Sequence, residues 1–480
     1  MNEVHMAQMK RANILAFFWG HVGVWNISAY RRDRMGDSAP ACNEREGVLR
    51  RREMNRLRPL SLALCLLLAG GSSWAHAQGK TSLEAAPALE GTELVRAQLL
   101  KGPFHKVAEP VKVEGHLGRF VIESKFGSFS VLGANLLATR VNELRAIDEL
   151  QKVQKDSAFT DALAKSAGGV VKFAGSVVTD PGKTVENVGK GVGTVFGRVG
   201  QLAKSGVDYS GDKASDVITS GPKPKSEAAP AGEPEPPSFT GDPLGYNKAR
   251  REWAKKLEVD PYTSNPVLRT LLDDASAASF AGNFAVNLTL GAVAAPLQYT
   301  YSFDEETRDS VWNKPVLDLE KENQEKLLAL GAAPRTVRDL LRNKWFTPTL
   351  QTALVARLAV LGKMDGIESV VSTAAVTLGE SRARFLLESV AMLVTHHQKE
   401  GRLAKIRMSN LVPTGVTADG AVIAALAIDY GVWSEDAAAF AKRRELAATS
   451  RTLLVAGNLS PRAKQELEKI GWKIKTGIRN

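Results

Sequence analysis

AVIAALAIDYGVWSEDAAAFAKRRELAATSRTLLVAGNLSPRAKQELEKIGWKIKTGI, residues 421–478, is the stretch that decides the fold class. AVIAALAI (421–428) is an unbroken apolar run of strand length, which predicts a strand buried on both faces. Ser434 stands where a helix N-cap belongs, ahead of EDAAAFAKRREL. TLLVAG (452–457) repeats the buried-strand pattern, and Ser460-Pro461 opens a second helix over RAKQELEKI. Gly471 ends that helix before a last strand, WKIKTGI (472–478). Strand–helix–strand–helix–strand with short loops implies right-handed crossovers and a small parallel or mixed sheet. Upstream, LAKIRMSNLV (403–412) reads as one more strand, with a turn at Thr417 to Gly420. Residues 402–480 are therefore expected to be an α/β domain.

Sheets of this kind gather ligands outside the carboxyl ends of their strands. Asp429 follows AVIAALAI directly, and Asn458 and Ser460 follow TLLVAG, so these three are the candidate catalytic or binding residues. The competing expectation is that all three are turn residues and helix caps.

Toward the N-terminus, residues 319–401 hold four helical patterns. Thr347-Pro348 marks a start, and Gly362, Gly379 and Gly401 mark stops, which predicts an array of two antiparallel helix pairs. His396 and Glu400 lie four apart on one face. Two ligands at that spacing need a third to hold zinc, and no HExxH motif supplies it, so no metal or other cofactor is expected. Residues 246–318 begin with an amphipathic helix broken near Asp260-Pro261 and continue into 275–303, which carry no charge over 29 positions. That length would cross a bilayer, whereas Asn283, Asn287, Pro296 and Gln298 favour an Ala-rich core helix; both readings stand.

Residues 219–245 hold seven of the 21 prolines and hardly any bulky apolar side chain, a linker with extended character that divides the chain. Before it, residues 156–218 are rich in glycine. GKT at Gly182–Thr184 suggests a phosphate loop, but the first glycine of that motif would have to stand at Val177, and Pro181 removes an amide donor. No nucleotide is expected. The helical reading is better: Val185, Val188, Val192, Val195, Phe196 and Val199 form one apolar stripe, and Gly189, Gly193 and Gly197 a small-residue strip. Asp180-Pro181 suits the start of the second helix of a hairpin. These residues resemble the glycine-zipper segments of bacterial envelope proteins over some 40 positions. The resemblance implies contact with a membrane surface or with partner protein helices; the alternative is a hairpin packed on its own neighbours.

From 78 to 155 the pattern is a polar lead-in, then period two from Val111 to Gly133, then helical period from Asn135 to Lys155. A small antiparallel hairpin or three-stranded meander followed by one helix is expected, with Leu137, Val141, Leu144 and Ile147 buried and charges opposite. Residues 54–77 carry Arg56 and Arg58, an apolar run, and Ala75-His76-Ala77 ahead of Gln78, a cleavable export signal. The 53 residues before Met54 have no consistent period and are expected to be an upstream extension, with Met54 the initiator. Both cysteines, Cys42 and Cys65, precede the expected cut, which leaves no disulfide or thiol chemistry after it. The first 77 residues hold 11 of the 63 Lys and Arg and 6 of the 52 Asp and Glu, so the chain from Gln78 carries +6 rather than +11. Those charges are dispersed with few aromatics among them, so no nucleic acid is expected.

The whole reads as a multidomain α+β chain: an antiparallel β unit with a glycine-rich helical hairpin, a helical array, and a C-terminal α/β domain with a small mixed sheet. The function expected is that of an exported, periplasmic or envelope-associated, non-enzymatic interaction protein. The alternative is an envelope hydrolase using the carboxyl edge of the C-terminal sheet.

Overall fold

Between Val111 and Leu132 side chains alternate between interior and solvent, as a period-two sequence demands of a pleated strand. The computed structural model of the chain describes residues 83–166, 233, 246–282 and 303–479, all within one contact unit. Strands β1 (Ala88–Leu89), β2 (Lys101–Gly102), β3 (His105–Val107), β4 (Val111–Glu114), β5 (Leu117–Ser124) and β6 (Gly127–Leu132) form an antiparallel sheet. Short helices α1 (Gly91–Leu94) and α2 (Ala97–Leu100) lie between β1 and β2. The central strand is β5, with β6 on one edge and β3 and β4 along the other. The sheet exceeds the expected meander because β1 to β3 are two or three residues long, too short to show an alternation. Gly115 and His116 both take positive φ, +54° and +69°, in the two-residue turn between β4 and β5.

Helix α3 (Ala134–Val153) packs Leu137, Leu144 and Ile147 against Phe120 and Ile122 of β5 in the first core. Helices α4 (Ser157–Ser166), α5 (Tyr246–Leu257) and α6 (Pro266–Gly282) add Phe159, Trp253, Leu268, Leu272 and Ala275 to the same core. Residues on both sides of 219–245 thus share one interior. The compositional break is real, but the cores part only after Gly282, because α6 is apolar on a broad face that α3, α4 and α5 cover.

The second core joins the helical array to the C-terminal sheet. The array comprises α7 (Glu305–Asn313), α8 (Val316–Ala329), α9 (Pro334–Leu341), α10 (Pro348–Leu361), α11 (Ile367–Val376) and α12 (Glu380–Lys399). Its pairing differs from successive antiparallel hairpins: α9 packs on α11, and α10 on α12. Near the start of α11, Glu368 accepts from Ala333 N (2.7 Å) and Thr336 Oγ1 (2.6 Å) at the start of α9. Asn343 just after α9 donates to the carbonyls of Ala374 and Thr377, both at 2.8 Å, at the end of α11. The two helices therefore run in the same direction.

The C-terminal sheet has the order β13-β11-β9-β8-β7, built from β7 (Leu403–Ser409), β8 (Val412–Thr417), β9 (Val422–Leu426), β11 (Arg451–Val455) and β13 (Trp472–Lys475). Strands β9, β11 and β13 are parallel, while β7 and β8 are antiparallel additions, so the sheet is mixed. The single strand expected over 403–412 is in fact two, because Asn410 takes φ +56° and turns the chain back. Helices α13 (Glu435–Ala441) and α14 (Pro461–Lys469) are capped by Ser434 and Ser460 as the sequence predicts. A separate two-strand pair, β10 (Tyr430–Gly431) with β12 (Asn458–Leu459), extends the carboxyl edge in parallel.

No helix among the described residues is long and apolar enough to cross a membrane. The export signal and its upstream extension, the stripe from Val185 to Val199, and residues 283–302 lie outside the described residues.

Candidate functional site

The three residues chosen from sequence, Asp429, Asn458 and Ser460, do meet at the carboxyl edge of the C-terminal sheet. Gly457 allows this: a Cβ there would lie 2.1 Å from the Asp429 carbonyl oxygen, so only glycine lets β11 exit beside β9. Asn458 N donates to Asp429 O at 2.9 Å, and Ser460 N to Gly431 O at 2.8 Å.

What these residues hold is the chain itself. Asp429, 0% exposed, accepts through Oδ2 from Gly118 N (2.8 Å) on β5 and from Ala134 N (3.0 Å) at the first turn of α3. Its Oδ1 accepts from Arg479, which also pairs with Glu388 of α12 at 2.9 Å. The backbone N–H groups of Asp429 and Tyr430 both donate to His116 O, at 3.0 and 3.1 Å, so the positive-φ turn of the first sheet plugs the edge. Burial pushes the His116 imidazole pKa down, with a bond to the Tyr430 backbone opposing it. Ser460 Oγ accepts from Ala463 N at 3.0 Å as the cap of α14 and donates to Glu84 Oε2 at 2.6 Å. Glu84 also accepts from Trp433 N at 2.7 Å and donates its own N–H to Trp433 O at 2.9 Å. Asn458 Nδ2 reaches Glu93 O at 3.5 Å. The place where an open α/β sheet would take a ligand is filled by residues 84–134 of the same molecule.

A second polar cluster has no counterpart in the sequence reading. The charges of α3 were expected to face solvent, yet Arg140, Glu143, Asp148 and Glu149 are buried. The reason is coverage of a second face of α3 by α6, by the 260–265 loop and by α12. Arg140 pairs with Glu143 (3.0 Å) and with Glu380 of α12 (3.2 Å) and donates to Ser264 Oγ (2.6 Å). Glu143 also accepts from Asn265 Nδ2 at 2.9 Å and from Thr263, and Glu380 accepts from Ser264 and from Arg384 (2.9 Å). Burial alone would raise the Glu380 pKa, but Arg384 and Arg140 overcome it and hold the carboxyl below its ordinary range. Alongside, burial pushes Asp260 up to about 6 although Thr349 and the Tyr262 N–H stabilise its charged form. The Ser381 N–H at the head of α12 donates to Glu233 at 3.1 Å. The sequence signal for this cluster is two opposite charges, Arg140 and Glu143, placed i,i+3 on a helix that carries other charges as well.

His396 and Glu400 are in contact, Nδ1 to Oε2 at 2.9 Å, but Glu400 also binds Lys475 Nζ at 2.6 Å, which holds its carboxyl below the usual range. His397 Nδ1 accepts from Leu403 N at 3.0 Å. Among the described residues no group of three His, Cys, Asp or Glu side chains could hold a metal ion.

No family model, curated protein or solved structure matches the chain. The geometry of its own residues therefore carries the functional argument.

Proposed function

We propose that this is an exported, non-enzymatic protein of the bacterial envelope. Its glycine-rich segment, 156–218, is the contact element toward a membrane surface or partner helices, and the helical and α/β domains are presented for interaction. The observation that carries the reading is where that segment is rooted. The segment opens with α4 and the chain returns through α5, and both helices pack against α6. These helices, at either end of the segment and its linker, are thus anchored on one helix of the first core. The filling of the sheet edge by Glu84, His116 and Arg479 adds support, since Asp429 and Ser460 are already engaged in holding the body together.

Flotation of the mature chain on vesicles containing anionic lipid tests this, beside a variant lacking 167–205. The mature chain should float and the deletion should remain at the bottom of the gradient; equal flotation of both would sink the proposal. N-terminal sequencing of the protein from the envelope fraction should begin at Gln78.

A further inference from the structure

Strand β6 is an unguarded edge of the antiparallel sheet. Gly133 N donates to Gly118 O and Ala108 N to Val121 O, both at 2.8 Å, so even-numbered residues of β5 aim their backbone groups at β6 and odd-numbered ones at β3 and β4. Phe129 lies opposite Ile122 and Val131 opposite Phe120, and these two bond to β5. The backbone groups of Ser128 and Ser130 therefore point outward, and both residues are exposed. The Ser130 hydroxyl accepts from Arg119 at 3.4 Å. Among the described residues no hydrogen bond reaches the outward N–H and C=O groups of either serine. Natural sheets blunt such edges with short strands, charges or covering segments. Here β1 and β2 have two residues each, β13 carries Lys473 and Lys475, and β7 carries Lys405 and Arg407 and bridges to Asp365. By contrast β6 runs for six residues in unbroken register with β5. No charged residue or proline occurs from Phe126 to Thr139.

We propose that β6 is a dimerisation edge: two copies of the chain pair β6 to β6, antiparallel about a twofold axis at Phe129. That axis sets Ser128 of one protomer opposite Ser130 of its partner, twice over. Both pairs have outward backbone groups, so each exchanges two N–H···O bonds and four hydrogen bonds close. Phe129, half-buried at the margin of the first core, then meets its own mate in the close, non-hydrogen-bonded pair, where aromatic side chains gain from contact. Charge favours a second copy over a charged peptide. The strand offers an acidic or basic partner nothing to pair with, and in this register Lys125 stands opposite Gly133 of the partner, so no like charges face each other.

Sedimentation equilibrium of the chain from Gln78 should approach twice the monomer mass as concentration rises. Ser130→Pro removes an outward N–H and none that β5 uses, and should weaken association about tenfold or more. The chain from Gln78 holds no cysteine, so Phe129→Cys reads the register directly. Mild oxidation should link two copies of that variant through a disulfide, whereas Glu123→Cys, on β5, should stay unlinked. If a change at 129 or 130 unfolds the protein, paired charges serve instead. Ser128→Lys with Ser130→Lys sets like charges opposite each other and should dissociate the dimer, while Ser128→Lys with Ser130→Glu should keep it. A mass that stays monomeric as concentration rises would overturn the proposal. So would a dimer that survives both Ser130→Pro and the lysine pair, or that forms no disulfide in Phe129→Cys.

Discussion

Asp429 joins three parts of the molecule through one side chain: β5, the start of α3, and Arg479 with its partner Glu388. Removing a partner from a buried pair leaves an uncompensated charge, which costs more than the pair itself contributes. Asp429→Ala should therefore destabilise the protein by about 3–5 kcal/mol in a urea titration; a loss no larger than an ordinary surface substitution would contradict the clamp. Asp260 makes the opposite case, a buried carboxyl whose charge is unwelcome. Its pKa in the folded state, about 6, lies above the ordinary 3.8, so its contribution is whole in acid and is lost as pH rises from about 4 to 6. Thermal melts should show Asp260→Asn gaining on the wild type by roughly 3 kcal/mol at pH 7 relative to pH 4. Neither role can be seen in the sequence, because an aspartate after an apolar strand or after a helix looks the same whether it faces a ligand, water or a neighbouring part of the chain.

Elements were legible where the chain marks both their period and their ends. Ser434 and Ser460 announce their helices, and the runs before Asp429 and Gly457 announce buried strands, so the class of the C-terminal sheet follows from local chemistry. Partners were not legible. Nothing in the 319–401 patterns says that α9 lies beside α11, because helix pairing is settled by packed surfaces distant in sequence. The side-chain amide of Asn343 is the device that joins the ends of those two helices, and Asn343→Ala would strand carbonyls at the end of α11. A cost of about 1–3 kcal/mol is expected, with faster hydrogen exchange over 370–377. Unchanged exchange there would show that apolar contact alone aligns the pair. Likewise the charges on α3 looked like a solvated face, and only the arrival of α12 and the 260–265 loop makes that face interior.

At the scale of the molecule, two large apolar cores share polar seams, beside a small apolar cluster of Tyr262, Val311, Val316 and Leu319. One seam is the carboxyl edge plugged by His116 and Glu84; the other is the buried cluster of Arg140, Glu143, Glu380 and Arg384. Breaking either seam exposes buried charge, so the cores should not melt separately. Calorimetry of the chain from Gln78 should give one transition for this body, with equal calorimetric and van't Hoff enthalpies; two resolved peaks would mean that the seams couple the cores weakly.

The contact between Gly118 and Asp429 also sets a clock. The two residues are 311 positions apart, and at about 5–20 residues per second a ribosome needs roughly 15–60 s to travel between them. Throughout that interval Gly118 and the head of α3 are without the carboxylate that ties them together. A chain that closes late stays threadable for longer, which is what the proposed export would ask of it.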